Sequence, residues 1–299
     1  MFKFNAILLT SLSLIAAPSA ADTLIYAYNS GGHHRIHLLD LDTSDEKIVS
    51  PAKGAAWNAA FHPNGKRIIY TLQGESDSQV YVADLNGDNA EQLTFDPQYA
   101  YHPSFSPDGK HIAYSRLSER QLILMNADGT GAHVIADDPA YDAFPVFFSG
   151  GKRILFHSRR LESPEGDPGI FIFYLETGAV AHTGLYGTYA YPSPDGSKIV
   201  LAGKRSADAD RDIMIADTQD PSTLTSLTEG GGYDGHPSFT ADGKHIIFVS
   251  RMAQDPAFPV ADESDTAGTN EVFMMNIDGT GVRRLTHRGA VAWHPLVRH

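Results

Sequence analysis

Six positions carry the residues best suited to chemistry. Five glycines, Gly65, Gly109, Gly151, Gly196 and Gly243, recur at spacings of 44, 42, 45 and 47 residues. Seven residues before them stand Asn58, His102, Phe144, Tyr189 and His236. His294 is placed with them by its His-Pro pair, which repeats His102-Pro103 and His236-Pro237. Neutral imidazole nitrogens and an amide oxygen suit a divalent transition metal such as manganese or zinc. His102, His236 and His294 are therefore a candidate metal set, with Asn58 beside them. The structural alternative is that each His-Pro caps a strand and hydrogen-bonds a neighbouring loop.

A second set is cationic. Arg116, Arg159, Lys204 and Arg251 follow their glycines by seven or eight residues, and Arg160 and Arg205 are adjacent. Guanidinium and ammonium groups in a ring suit carboxylates of uronic acids or acidic peptides, unless each cation pairs with an acid of its own neighbourhood. Tyr99, Tyr101, Tyr141, Tyr189, Tyr191 and Tyr233 gather near the same positions and can stack on sugar rings or fill space. Asp142 and Asp234 flank them. The candidate ligand-binding residues are thus Asn58, Tyr101, Arg116, Asp142, Arg159, Tyr189, Asp234 and Arg251. Asp208-Ala209-Asp210-Arg211-Asp212 opens with calcium-loop spacing, but Ile213 stands where that loop needs glycine. Gly230 to Gly235 fits GxGxxG formally, yet it precedes His236-Pro237 and a strand rather than a helix. No Gly-x-Ser-x-Gly elbow occurs, which disfavours a Ser-His-Asp hydrolase.

The elements that must position these residues are strands. Each glycine closes a turn such as Ser106-Pro107-Asp108-Gly109, with Pro at the position that needs its fixed φ and Gly where strain is released. An alternating strand follows, and an isoleucine stands three residues after every glycine: Ile68, Ile112, Ile154, Ile199 and Ile246. A second apolar strand ends in Asn86-Gly87, Asp128-Gly129 or Asp278-Gly279, and a short outer strand closes the unit. No amphipathic helix is convincing. Residues 23–50 hold three strands with no inner strand before them, and Val291–Val297 is an inner strand with nothing after it. The halves complete each other. The fold expected is all-β: a six-bladed β-propeller of four-stranded blades, closed by the C-terminal strand joining the N-terminal blade, with about 46 residues per blade. Long loops are expected at 158–168 and 252–270.

Composition bounds the function. The 299 residues carry 23 basic and 36 acidic side chains, for a net charge of −13, which argues against a nucleic-acid partner. There is no cysteine, so disulfides, thiolate metal sites and Cys nucleophiles are excluded. Residues 1–21 read as a secretory signal: Lys3, an apolar run from Ala6 to Ala17, then Ser19-Ala20-Ala21 as a cleavage site. That run is shorter than the roughly 20 residues a bilayer requires, so no membrane span is expected. Residues 22–299 read as a single domain in a periplasmic or secreted protein, and as a monomer.

These repeats resemble those of TolB-type, WD40-like propellers, whose hallmark is Pro-x-aromatic-Ser-Pro-Asp-Gly-Lys followed by Ile-x-aromatic. Pro103-Ser104-Phe105-Ser106-Pro107-Asp108-Gly109-Lys110 matches, and Pro237 to Lys244 is close. The resemblance covers residues 23–299 and implies the fold; propellers of this type serve as scaffolds, receptors, lyases and peptidase lids. The chain is also similar to oligogalacturonate lyases, propellers that hold manganese with several histidines and a glutamine where the metal binds the uronate. The reading favoured is an exported binding module for a protein or an acidic glycan at the channel mouth. The alternative is a metal-dependent lyase of oligouronates, in which His102, His236 and His294 hold the metal. No residue is singled out as the base of a β-elimination, so the balance tips away from an enzyme.

Overall fold

A computed structural model describes residues 22–30, 33–95, 99–229, 232–251, 270–287 and 292–298. The proposed signal segment, residues 1–21, lies outside the described residues. Twenty-four strands form six four-stranded antiparallel sheets, and no helix occurs among the described residues. Blade 1 begins at the innermost strand Ala55–Phe61, and blades 2 to 5 begin at Ala100–Phe105, Asp142–Phe147, Thr188–Pro192 and Asp234–Phe239. Blade 6 is built from both ends: Ala292–Arg298 is its innermost strand and pairs with Thr23–Ser30, Leu24 opposite Val297. The β-propeller is therefore closed by the C-terminal strand.

The local chemistry explains the blades. In blade 2 the Gly109 N–H donates to the Ser106 carbonyl at 2.8 Å, and Asp108 accepts from the Ser106 hydroxyl at 2.6 Å and the Lys110 amide at 3.0 Å. Gly109 takes a φ of 69°, which a side chain disfavours. The same carboxylate clasp recurs at Asp195 and Asp242. The five isoleucines after the turns are all fully buried. They belong to core clusters shared between neighbouring blades, such as Ile25, Ile36, Ala56 and Ile68 between blades 6 and 1. Burying each side chain of this size stabilises by roughly 1.5–3 kcal/mol. The blades are thus held together by their faces, and the innermost strands are left to line the axis.

One expected loop is a hairpin instead. Strand Arg153–Glu162 runs on to pair Glu162 with Pro168, and the Ser163 amide donates to the Asp167 carbonyl at 2.8 Å. Backbone pairing continues there because Asp167, nearly fully buried, anchors the tip to Arg211 of blade 4. The loop at 252–269 lies outside the described residues.

Candidate functional site

The five residues aligned by the glycine repeat and His294, placed by its His-Pro pair, share one backbone conformation. Asn58, His102, Phe144, Tyr189, His236 and His294 have φ between 51° and 57°, and they account for six of the nine non-glycine residues with positive φ among those described. Each sits where the register of the innermost strand shifts, for example between Trp57 and Ala60 or between Tyr101 and Ser104. The extra residue of a β-bulge re-aims its side chain. Here six bulges turn six side chains onto the propeller axis. The left-handed conformation costs about 1–2 kcal/mol per residue, so the surrounding blades must impose it. Proline follows in four blades, at Pro103, Pro145, Pro237 and Pro295, where the bulge leaves no ladder bond for its missing N–H.

The six side chains close the channel. His102 stacks on Phe144 with ring centroids 3.4 Å apart, and Phe144 meets Tyr189 edge-on at 4.6 Å. Tyr189 lies 3.7 Å from His236, and His236 lies 4.1 Å from His294. The Asn58 amide completes the circuit, with Nδ2 2.9 Å from Nε2 of His294. Phe144 and His294 come from opposite blades, yet their centroids are 5.8 Å apart, so no open bore remains at this level. Beyond the layer, toward the Ser-Pro-Asp-Gly turns, lies a cavity of about 260 Å³ lined by Phe61, Phe105, Phe147, Phe239 and Leu296 among others.

The plug is uncharged at neutral pH. Burial pushes His294 down to about 3, with nearby His34 adding to the effect. Burial likewise lowers His102 and His236 well below the ordinary histidine value, and their imidazole neighbours reinforce this. His157 joins them, its ring tilted against Phe144 at 4.9 Å and pushed by burial down to about 3. As packed, these donors do not fit a metal: among the described residues no group of three or more His, Asp or Glu could hold one. His102 presents its ring face to Phe144, and the His294 nitrogens face the Asn58 amide.

The cations expected to form a ring are mostly tied to acids. Arg116 pairs with Glu119 at 3.2 Å, Arg159 with Glu162, Arg160 with Asp142 at 2.5 Å and Arg205 with Asp212 at 2.5 Å. The Lys204 ammonium donates to the Ala207 carbonyl. Arg251 lies over the Tyr233 ring, 5.9 Å from its centroid, and donates to Asn270. Asp212 and Arg211, the end of the candidate calcium loop, are engaged with Arg205 and Asp167. Asp142 and Asp234 are both buried, and desolvation pushes each carboxyl up to about 6. Arg160 and the Ser158 hydroxyl oppose that rise at Asp142, and the Ser250 and Thr228 hydroxyls do so at Asp234.

Aromatic residues frame the plug on this side. Tyr101 accepts a hydrogen bond from Ser78 and stacks between Trp57 and Tyr99, each 6.3 Å away. The Tyr233 hydroxyl hydrogen-bonds that of Tyr189. Two members of this neighbourhood were not singled out by sequence reasoning. His157 stands six residues after Gly151, where blades 1 and 2 carry Thr71 and Ser115, so the repeat alignment marks it. Arg211 was legible only as part of an acidic run. A third device is the recurring Leu-Thr pair: the Thr94, Thr228 and Thr286 hydroxyls accept from the Val80, Ile213 and Val272 amides, near the start of the third strand in blades 1, 4 and 5.

Fold and site together define a six-bladed propeller whose axis is shut by a ring of bulged, neutral side chains. Residues 5–163 match the TolB beta propeller domain, and the chain belongs to that family. TolB from Acinetobacter baumannii superposes with a TM-score of 0.77 at 20% identity, over 94% of this chain and 67% of that one. An oligogalacturonate lyase in complex with manganese gives 0.54 at 15% identity, over 88% of this chain and 72% of that one. Dipeptidyl-peptidase 5 of Porphyromonas endodontalis is 24% identical over 301 aligned positions. That alignment takes in 81% of this chain and spans 43% of the relative's length.

Proposed function

We propose that the protein is an extracytoplasmic binding platform, exported through residues 1–21, that holds a protein ligand at the rim around the plugged mouth. The observation that supports this reading is the plug itself. Six strained residues are spent on closing the axis with neutral, mutually packed side chains, which leaves recognition to the rim. The rim offers Tyr101, Tyr141, Tyr233, Trp57 and Arg251, the tyrosine, tryptophan and arginine chemistry that dominates protein interfaces. Local pairing of Arg116, Arg159 and Arg205 weakens the case for a polyanionic glycan, since such cations have little attraction to spare. Among the described residues the same packing supplies no three-donor metal cluster for a lyase.

The test is capture on the immobilised protein from an envelope extract, followed by purification of the captured partner and titration calorimetry. A Tyr101→Ala/Arg251→Ala variant is expected to lose binding, while a substitution on the outer edge of blade 5, Arg283→Ala, leaves it intact. Turnover of a uronate polymer to unsaturated products absorbing in the near ultraviolet, with no retained protein, would overturn the reading.

A further inference from the structure

The outer strands of the six blades are unequal. Four are short: Glu46–Ile48, Glu91–Gln92, His133–Ala136 and Arg283–Arg284, of 3, 2, 4 and 2 residues. Blades 3 and 4 instead end in Ala179–Tyr186 and Asp220–Ser226, of 8 and 7 residues. An outer strand presents a row of unpaired backbone donors and acceptors, and soluble proteins guard such rows with short length, charge or bulges. Three of the short strands carry charge: Glu46 and Lys47, Glu91, and Arg283 and Arg284. Ala179–Tyr186 has no charged side chain at all.

Its first half is also flat. Ala179 to His182 pair without interruption against Tyr174 to Phe171, and the register shifts only beyond that point. Ala179, Val180 and Ala181 are exposed, with Val180 at 37%. The chain as a whole is strongly acidic, at −13, so two copies repel one another over most of their surface. This strand carries no charge of its own, and it is the outermost strand of its sheet.

We propose that Ala179–Ala181 pairs antiparallel with the same segment of a second copy of this chain, with Val180 on the two-fold axis, joining the two third blades into one eight-stranded sheet. A strand that pairs antiparallel with itself is self-complementary, so one segment satisfies both sides of the interface. With Val180 facing its own copy, Ala179 faces Ala181 across the axis, and small apolar side chains meet on both faces. The flat segment ends at the bulge, which limits the pairing to this stretch.

The experiment is sedimentation equilibrium on the full mature protein, with cysteine cross-linking as the second measurement. The wild type is expected to reach a two-chain mass as concentration rises. Val180→Lys sets two like charges opposite each other and is expected to raise the dimer dissociation constant roughly tenfold or more. Val180→Thr keeps a neutral strand former and keeps the dimer. The chain has no native cysteine, so Val180→Cys is expected to form a disulfide-linked dimer in dilute oxidising solution. Leu161→Cys, at an exposed site of the same blade, stays monomeric. A wild type that sediments as one chain up to its solubility limit overturns the proposal and leaves the edge to an extended peptide. So does a Val180→Lys protein that still dimerises, or cross-linking no faster at position 180 than at 161. Rim binding is read separately and does not depend on this result.

Discussion

Replacing Asp234 with Asn is expected to stabilise the protein at neutral pH. Asp234 is 3% exposed, and desolvation pushes its carboxyl from 3.8 up to about 6, with Asp212 and Asp210 adding to the rise. At 1.36 kcal/mol per pH unit, that gap means the ionised form is disfavoured in the folded chain by about 3 kcal/mol. Asparagine keeps the volume, and its carbonyl can accept from the same Ser250 and Thr228 hydroxyls, so it removes the charge without leaving them unpaired. The sign follows from proton binding. Between pH 3.8 and about 6 the folded chain holds a proton that the unfolded chain has released. Wild-type stability therefore falls as pH rises through that window, and the deficit is complete above it. D234N lacks the effect. At a slope of roughly 2 °C per kcal/mol, the low end for a large domain, the variant should melt about 6 °C higher at pH 7. The two melting curves should converge below pH 4. The assay is melting temperature by intrinsic fluorescence from pH 4 to 8 for both proteins. A difference that stays constant across that range, or a D234N protein that melts lower at pH 7, would refute the reasoning.

Three further outcomes are expected. Gly87 has a φ of 86°, and a Cβ there would lie 2.5 Å from the Val49 carbonyl oxygen of blade 6; Gly87→Ala should cost more than about 1 kcal/mol, read as a lower urea midpoint with an unchanged slope. Ser193 and the Ser197 amide hold the Asp195 carboxyl down at about 2. That support is present above the ordinary carboxylate range and is lost as pH falls toward 2, so Asp195→Ala should melt lower at pH 7 and match the wild type in strong acid. Mature protein exposed to manganese and zinc and then dialysed should retain well under one ion per chain by elemental analysis. About one ion, absent from His236→Ala/His294→Ala, would sink the account of the layer as a packed plug.

Much of the architecture is written in short-range chemistry. The Ser-Pro-Asp-Gly turns and the isoleucines three residues beyond the glycines are local, because blades 1 to 5 are each one meander of consecutive strands, while the closing strand, which pairs with Thr23–Ser30, is legible as the inner strand the N-terminal blade lacks. The glycine alignment located five of the plug residues, since a repeat fixes equivalent positions wherever the glycines fall, and the repeated His-Pro pair located His294. The alignment placed the cations of the strand ends too, but not their partners. Arg205 meets Asp212 and Arg160 meets Asp142 across paired strands, and a list of charges in order does not show which acid the register delivers.

The repeat, the number of blades, the mode of closure and the identity of the residues nearest the axis can all be read from the order of the amino acids. What those residues do there follows from the packing across the axis. Convergence of six bulges on one axis packs three histidines, an amide and two aromatics into one buried, neutral layer. The same convergence puts the cavity on the turn side of that layer. Burial, which no residue possesses alone, removes the charge from His102, His157, His236 and His294 and raises Asp142 and Asp234. The physical reason is that desolvation and ring contact depend on distances across the axis between residues up to 236 positions apart in the chain, and periodicity along the chain carries no record of them.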